Sequence, residues 1–332
     1  MLLIDRIKSF ESLGNRLKNL SKDELNELCL GALNENAWFV EDNIKLAIGG
    51  IGLFLNQSEI EQWLSVYDLN SIEPKKIGVI AAGNIPLVGF HDVMCVLLSG
   101  HHLLIKVSSK DGVLLKFVLN ELFKIQPEFE PQVTFVERLN EADAFIATGS
   151  DNSARYFEYY FKNKPNVIRK NRTSVAVLTG QETVEDFENL GRDIFQYYGL
   201  GCRNVSKAFV PKGYDFKPLL DNLKSFEPII RHHKYRNNYD YNKSIYLVNR
   251  EPFLDTEFLL VRESDEMVSP ISVLYYQEYT DEKELESLLS EHDDKIQCVV
   301  GVSYIPFGQA QKPAVSDYAD GVDTMAFLTE LS

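Results

Sequence analysis

The feature that most constrains this chain is an alternation of short apolar runs with amphipathic stretches, which begins at Lys76. Apolar runs that end in small residues are typical of parallel strands buried on both faces. Strands are predicted at 77–83, 103–107, 133–136 and 144–148, with helices at 87–99 and 111–124. This order predicts a doubly wound α/β sheet, which binds ligands at the carboxyl ends of its strands.

The residues on either side of this region predict a helical lead-in and a second lobe. Ser21 and Ser58 each precede a glutamate by three positions, which is the capping-box pattern of a helix start. After a turn at 162–165, strands are predicted at 174–178 and 205–210 around a helix at 184–197. The predicted domains are residues 1–170, 171–305 and 306–332, the last returning to the first domain or to an interface.

Composition and charge exclude several classes of protein. The formal charge of -15 disfavours nucleic acid and anionic bilayers as partners. No apolar run approaches the roughly 18 residues that a membrane-spanning helix needs. The four cysteines are widely separated and no histidine pair has zinc-finger spacing, so we expect a reducing cytoplasm and no metal site.

A glycine-rich stretch at Gly49-Gly50-Ile51-Gly52 has the composition of a dinucleotide fingerprint. It follows a helical pattern instead of a strand, so the geometry that admits a pyrophosphate is missing. We interpret it as a turn.

The strongest local signal is the segment Tyr198-Gly199-Leu200-Gly201-Cys202-Arg203-Asn204, where glycines flank a cysteine before a predicted strand. Arg203 is a neighbouring cation that would favour the thiolate if its side chain faces the sulfur. A buried structural cysteine explains the pattern about equally well on spacing alone.

Several separated segments resemble the aldehyde dehydrogenase superfamily in the order in which that superfamily has them. The segment Ala82-Gly83-Asn84-Ile85-Pro86 is similar to its asparagine-containing loop, and Cys202 falls at its nucleophile position. The resemblance implies that Asn84 donates to the oxyanion, where one donor contributes roughly 3 kcal/mol. The patterns at 306–311 and 317–324 resemble the LuxC-type acyl-CoA reductases of this superfamily.

The same resemblance implies a nicotinamide cofactor bound by residues 1–170 and a catalytic thiol domain at 171–305. The lysine of this family's strand end, here Lys106, binds the adenosine ribose. Many NAD-preferring members have a glutamate three residues later, where this chain has Ser109, so NADPH is favoured and NADH is the alternative. Glu266 resembles the glutamate that holds the nicotinamide ribose. The implied cofactor-binding residues are Lys106, Ser108, Ser109, Gly149, Ser150 and Glu266.

One departure from the superfamily bears on the reaction. Aldehyde-oxidising members have a glutamate that activates water for deacylation, and the aligned position here is Arg169. Without that base, an enzyme thioester suits exchange with a thiol such as coenzyme A. Basic residues cluster around this position and would either meet coenzyme A phosphates or form a solvated face: Lys162, Lys164, Arg169, Lys170 and Arg172.

The expected activity is therefore that of an acyl-CoA reductase. An acyl group, most simply a fatty one, would pass from coenzyme A to Cys202 and leave as an aldehyde after hydride transfer from NADPH. The alternatives are a non-acylating aldehyde dehydrogenase, an acyl-phosphate reductase and an inactive binding or scaffold relative. The resemblance also implies a homo-oligomer and leaves open whether a fatty-acid-activating partner protein delivers the acyl group.

Overall fold

The computed structural model describes residues 1–69, 71–149 and 151–331. The chain divides into two compact units, one formed by residues 1–170 with 314–332 and the other by residues 171–313. In the described part of the chain, no helix is long and apolar enough to cross a membrane.

The N-terminal region is helical, as predicted. Its helices are α1 (Leu3–Lys18), α2 (Lys22–Glu35), α3 (Glu41–Phe54) and α4 (Gln57–Leu64). The predicted capping box at the start of α2 is confirmed, because Ser21 Oγ accepts from the Glu24 N–H and the Glu24 carboxylate accepts from the Ser21 N–H. The predicted start at Ser58 is wrong by two residues: Asn56 caps α4 by accepting from the Ser58 N–H at 3.0 Å.

The turn predicted at Gly49-Gly50-Ile51-Gly52 is also wrong, because these residues lie inside α3. The apolar stripe of α3, which includes Ile44, Ile48 and Ile51, is buried. Burial of this stripe outweighs the helix propensity lost at each glycine, which is about 1 kcal/mol.

The first unit contains a five-stranded parallel sheet, and the predicted doubly wound α/β fold is confirmed. Its strand order is β3-β2-β1-β4-β5. Helix α5 is buried almost throughout and ends at Gly100, whose φ of 90° suits glycine. The elements are β1 (Lys76–Ile80), α5 (Phe90–Ser99), β2 (His102–Lys106), α6 (Gly112–Ile125), β3 (Val133–Phe135), β4 (Ala144–Thr148), α7 (Asp151–Phe161) and β5 (Asn166–Arg169).

The second unit contains a six-stranded sheet of order β11-β6-β7-β10-β9-β8, in which the pairing of β8 with β9 is antiparallel and the others are parallel. Its main apolar core lies between α8 and the sheet, with Leu190, Ala208 and Leu274 among its members. The elements are β6 (Thr173–Val177), α8 (Val184–Phe195), β7 (Val205–Pro211), α9 (Lys217–Asn222), α10 (His233–Asn249), β8 (Leu254–Asp255), β9 (Leu260–Glu263), β10 (Val273–Tyr279), α11 (Glu282–Glu291) and β11 (Ile296–Val300).

The C-terminal segment belongs to the first unit and ends in α12 (Thr324–Thr329). The Trp63 indole N–H donates to the Tyr318 hydroxyl at 2.8 Å. His101 Nε2 lies 3.0 Å from the carbonyl oxygen of Leu328. These side chains fix the segment on the first unit.

Candidate active site

Three of the predicted site segments lie at one edge of the first sheet. Asn84 follows β1, Lys106 ends β2 and Gly149 follows β4, and β1 pairs in parallel with both β2 and β4. Parallel strands place their carboxyl ends at a common edge, where doubly wound sheets bind ligands. The remaining predicted residue of this edge, Ser150, lies outside the described residues.

Buried side chains hold the loop of Asn84 from both sides. Asn36 Nδ2 donates to the carbonyl oxygen of Gly83 at 3.1 Å, and the Leu87 N–H donates to Oδ2 of Asp111 at 2.7 Å. Leu87 has a φ of 58°, a left-handed conformation that costs a non-glycine residue about 1 kcal/mol and persists where its surroundings hold it. Asn84 itself is exposed. Asn36 and Asp111 therefore support a loop whose polar side chain faces solvent.

Asp111 has an electrostatic environment that is unusual for an aspartate. Burial raises the pKa of its carboxyl to about 8, although the Leu87 N–H opposes this shift. Its second oxygen, Oδ1, is buried without a hydrogen-bond partner among the described residues. The carboxyl is thus held in a site that favours its neutral form.

The predicted residues after β2 are accessible at the same edge. Lys106 and Ser109 are exposed and Ser108 is half-buried. A Cβ added to Gly83 would lie 2.4 Å from Ser108 Oγ, so the Asn84 loop packs directly against the loop after β2 and glycine is required there. The structure therefore packs the loop of Asn84 against Ser108 and places Lys106 on the neighbouring strand.

In the second unit, Cys202 lies in the loop between α8 and β7. Of the four cysteines, all among the described residues, Cys202 is half-buried and the other three are buried. Two consecutive left-handed residues, Tyr197 with φ 53° and Tyr198 with φ 60°, turn the chain from α8 into this loop. Cys202 is therefore the most accessible of the four thiols.

The Arg203 side chain contacts groups other than the one considered from the sequence. Its guanidinium donates to the carbonyl oxygen of Ala310 at 3.3 Å and interacts with the thiol of Cys298. Burial raises the pKa of Cys298, and Arg203 acts in the opposite direction. Arg203 therefore binds the backbone at Ala310 and lies next to the buried Cys298.

Glu266 lies in the loop between β9 and β10 and is exposed. This loop is tied to β7, because Ser206 Oγ donates to the carbonyl oxygen of Met267 at 2.9 Å. Ser206 is the fourth residue after Cys202. Within the second unit, the predicted nucleophile and the predicted ribose-binding carboxylate thus lie on loops that meet at the start of β7.

Lys207, in β7, is a fully buried cation. Its Nζ donates to Oε1 of Gln277 at 2.6 Å. Burial lowers the pKa of its ammonium group to about 8. Lys207 lies in β7 and Gln277 in β10, which pair in parallel. Their hydrogen bond therefore links the strand that binds the Glu266 loop, β7, to the strand that follows this loop, β10.

Arg169 ends β5 and is not available to solvent. Its side chain is 3% exposed, and its guanidinium binds the carboxylate of Asp92 at 2.5 Å and the hydroxyl of Thr324 at 2.7 Å. Arg169, which the sequence resemblance aligns with the water-activating glutamate of aldehyde-oxidising members, is thus a buried and paired cation.

The predicted basic cluster does not form one surface. Arg169 is buried, Lys164 donates to the carbonyl oxygen of Ala142, and Lys170 binds Glu158 at 2.9 Å. Arg172 belongs to the second unit and donates to the carbonyl oxygen of Ile296 at 3.0 Å. Each of these four cations therefore has a local partner of its own.

Among the residues that the structure describes, no group of three or more histidine, cysteine, aspartate or glutamate side chains could hold a metal ion. His101 is buried and contacts backbone atoms, and burial lowers its pKa. His232 caps α10, where its Nδ1 accepts from the Tyr235 N–H at 3.4 Å. Both histidines therefore have a structural role, since each binds backbone groups.

Comparison with known proteins agrees with this architecture. Residues 68–218, which include Asn84, Lys106 and Cys202, match the acyl-CoA reductase (LuxC) family. No curated protein sequence matches the chain.

Solved structures of aldehyde dehydrogenases share the fold at low sequence identity. The enzyme from Mycobacterium tuberculosis complexed with NAD+ is 14% identical with a TM-score of 0.66, over 94% of this chain and 75% of its own. Aldehyde dehydrogenase 21 from Physcomitrella patens, in complex with the reaction product succinate, is 11% identical with a TM-score of 0.66, over 91% of this chain and 74% of its own. KauB from Pseudomonas aeruginosa is 12% identical with a TM-score of 0.67, over 90% and 72%. The chain is thus similar to the acyl-CoA reductase (LuxC) family over residues 68–218, and it shares its fold with aldehyde dehydrogenases.

Proposed function

We propose that the protein is an acyl-CoA reductase that carries its acyl group, most simply a fatty one, on Cys202. The observation that carries the proposal is the half-buried position of Cys202 inside residues 68–218, the span that matches the acyl-CoA reductase family. All four cysteines are free thiols, which fits activity in a reducing cytoplasm.

In the proposed reaction, the Cys202 thiolate attacks the carbonyl carbon of the acyl-CoA thioester. The bond between that carbon and the coenzyme A sulfur breaks, and coenzyme A leaves as a thiolate that takes up a proton. The proposed donors to the oxyanion, which the family resemblance implies, are the side-chain amide of Asn84 and the backbone N–H of Cys202. After reduction of the acyl carbon, the carbon–sulfur bond to Cys202 breaks, which releases the aldehyde and the free thiol.

The carboxyl edge of the first sheet has groups that fit a nicotinamide dinucleotide. Lys106 and Ser109 are accessible there, and the N-terminus of the eleven-residue helix α7 follows Gly149. Helix N-termini favour phosphate groups. We assign the adenosine ribose to Lys106 and Ser109, the region of the pyrophosphate to Gly149 and Ser150, and the nicotinamide ribose to Glu266. When bound, the cofactor supplies the hydride that reduces the acyl carbon.

The side chain at position 109 supports NADPH as the cofactor. A glutamate there would repel a 2′-phosphate, whereas the hydroxyls of Ser108 and Ser109 carry no charge.

The fate of the thioester follows from Arg169. A buried guanidinium paired with Asp92 cannot take a proton from water, so the chain has no base at the position that aldehyde-oxidising members use, and exchange with coenzyme A is favoured over acid formation.

Intact-protein mass spectrometry tests this proposal. Wild type, Cys202→Ala and Cys29→Ala are mixed with medium-chain and long-chain acyl-CoA, and NADPH is then added. Cys29 is buried in α2 and serves as the matched cysteine control. Wild type and Cys29→Ala should gain one acyl group and lose it as aldehyde forms, whereas Cys202→Ala should stay unmodified. Aldehyde production by Cys202→Ala would refute the mechanism.

A further inference from the structure

The side chain of Asn204 binds together the loop that carries Cys202. It is 2% exposed. Its Oδ1 accepts from the Gly201 N–H at 2.8 Å, and its Nδ2 lies 2.8 Å from the carbonyl oxygen of Gln196 and 3.0 Å from that of Asp193. One amide therefore links the end of α8 to the residue that precedes Cys202.

The backbone around Cys202 is fixed on both sides. The Asn204 N–H donates to the carbonyl oxygen of Gly201 at 3.0 Å. The Gly201–Cys202 peptide bond is trans, so the Cys202 N–H points in the direction opposite to that carbonyl and away from Asn204. On the other side, Ser174 Oγ donates to the carbonyl oxygen of Cys202 at 3.1 Å. Asn204 thus orients the peptide group that carries the Cys202 N–H, and Ser174 holds the peptide group that follows it.

The loop needs such support because the chain enters it through strained backbone. Tyr197 and Tyr198 have φ values of 53° and 60°, and each left-handed non-glycine residue costs about 1 kcal/mol. A strained pair persists only where surrounding contacts hold it. The bonds of Asn204 to Gln196 and Gly201 lie on either side of this pair in the chain.

We propose that Asn204 is a positioning residue for acyl transfer, which holds the backbone N–H of Cys202 in the direction required to stabilise the oxyanion. This inference rests on the proposed function. In it, the buried side-chain amide of Asn204 aligns one of the two proposed oxyanion donors, the Cys202 N–H. Acylation of the thiol passes through a tetrahedral oxyanion, whereas alkylation by iodoacetamide is a direct displacement in which no oxyanion forms. Loss of alignment should therefore slow acylation selectively.

The test compares the two reactions at Cys202 in wild type, Asn204→Ala and Asn204→Asp. A control is Asn43→Ala, because Asn43 is also buried, at 8% exposure, and its Nδ2 donates to a backbone carbonyl, that of Trp38 at 3.2 Å. Asn204→Ala should lower the maximal rate of acylation by octanoyl-CoA about 10²-fold, with a much smaller effect on KM and on alkylation at a pH where the thiol is ionised. Asn204→Asp keeps the acceptor for Gly201 and should lose less. Asn43→Ala should change neither rate.

Two results would overturn the positioning role: acylation of Asn204→Ala at the wild-type rate, or acylation and alkylation that fall by the same factor. If Asn204→Ala does not fold, the same comparison is made with Asn204→Asp, in which equal losses in both reactions would again refute it. Wild type that is alkylated at Cys202 but takes no acyl group from any acyl-CoA would refute the proposed function itself, and the positioning role with it.

Discussion

The buried ion pair between Arg169 and Asp92 makes a measurable prediction about how the first unit is held together. Arg169 ends β5 and Asp92 lies in the first turn of α5, and their side chains are 3% and 12% exposed. Arg169 also donates to Thr324 at the start of α12. We expect Arg169→Met to destabilise the first unit strongly, because Asp92 then remains as a buried charge without its partner.

The magnitude follows from this burial. Removing one partner of a buried ion pair costs about 3–5 kcal/mol. The size of the first unit implies a change of about 2–4 °C per kcal/mol, so its melting temperature should fall by roughly 6–20 °C. Replacing both residues, in Asp92→Leu/Arg169→Met, should recover most of this loss, because an apolar pair of similar volume is often as stable as a buried ion pair.

Tryptophan fluorescence measures the unfolding of this unit alone. The chain has two tryptophans, Trp38 and Trp63, and both belong to the first unit. The control is Lys76→Met, which breaks the surface pair with Glu141, whose side chains are 50% and 76% exposed. This variant should unfold like wild type. A midpoint for Arg169→Met equal to that of Lys76→Met, or a double variant as unstable as Arg169→Met, would refute the reasoning.

Two further substitutions test single features of the two units. Asp111→Asn keeps an acceptor for the Leu87 N–H and removes a carboxyl whose pKa burial raises to about 8. When the pKa of a carboxyl in the folded state lies above its ordinary value of about 3.9, the folded protein becomes less stable as the pH rises toward that raised pKa. The variant lacks this carboxyl, so its stability relative to wild type should increase between about pH 5 and pH 8. Urea unfolding followed by fluorescence measures this difference, and a difference that does not change with pH would contradict it. Arg250 ends α10 with φ 59° and is exposed, so Arg250→Gly should stabilise the second unit by about 1 kcal/mol. Thermal unfolding monitored by far-ultraviolet circular dichroism checks this, and a lower melting temperature would show that the arginine side chain contributes more than the backbone strain costs.

The sheet of the first unit could be predicted because its signals are local. The strand predicted at 144–148 coincides with β4. The strand predicted at 103–107 is shifted by one residue from β2, and that predicted at 133–136 ends one residue later than β3. The helix predicted at 87–99 begins later, at Phe90, because Leu87 adopts a left-handed conformation that is held by Asp111. Strand β5, at Asn166–Arg169, was not predicted, since its short alternating pattern ends in a buried arginine.

The contacts that support the proposed site could not be predicted in the same way. Asn36 and Asp111 lie 47 and 24 positions from the backbone groups that they bind. No local pattern marks either residue, because Asn36 directly follows α2 and Asp111 directly precedes α6, where such residues are usually read as caps. Asn204 lies next to the cysteine segment in the sequence, but its bonds to α8 depend on the strained turn at Tyr197 and Tyr198.

The sequence by itself determined the doubly wound α/β fold, the helical lead-in and the position of Cys202 before a strand, since apolar periodicity and glycine placement act over a few residues. Only the tertiary structure decided which polar groups are buried and what they bind. Arg169 shows the difference: beside Lys170 and Arg172 in the sequence it predicts a charged surface, but the fold buries it against Asp92. Burial is set by how distant elements pack, and it determines whether a charge is solvated, paired or shifted in its pKa.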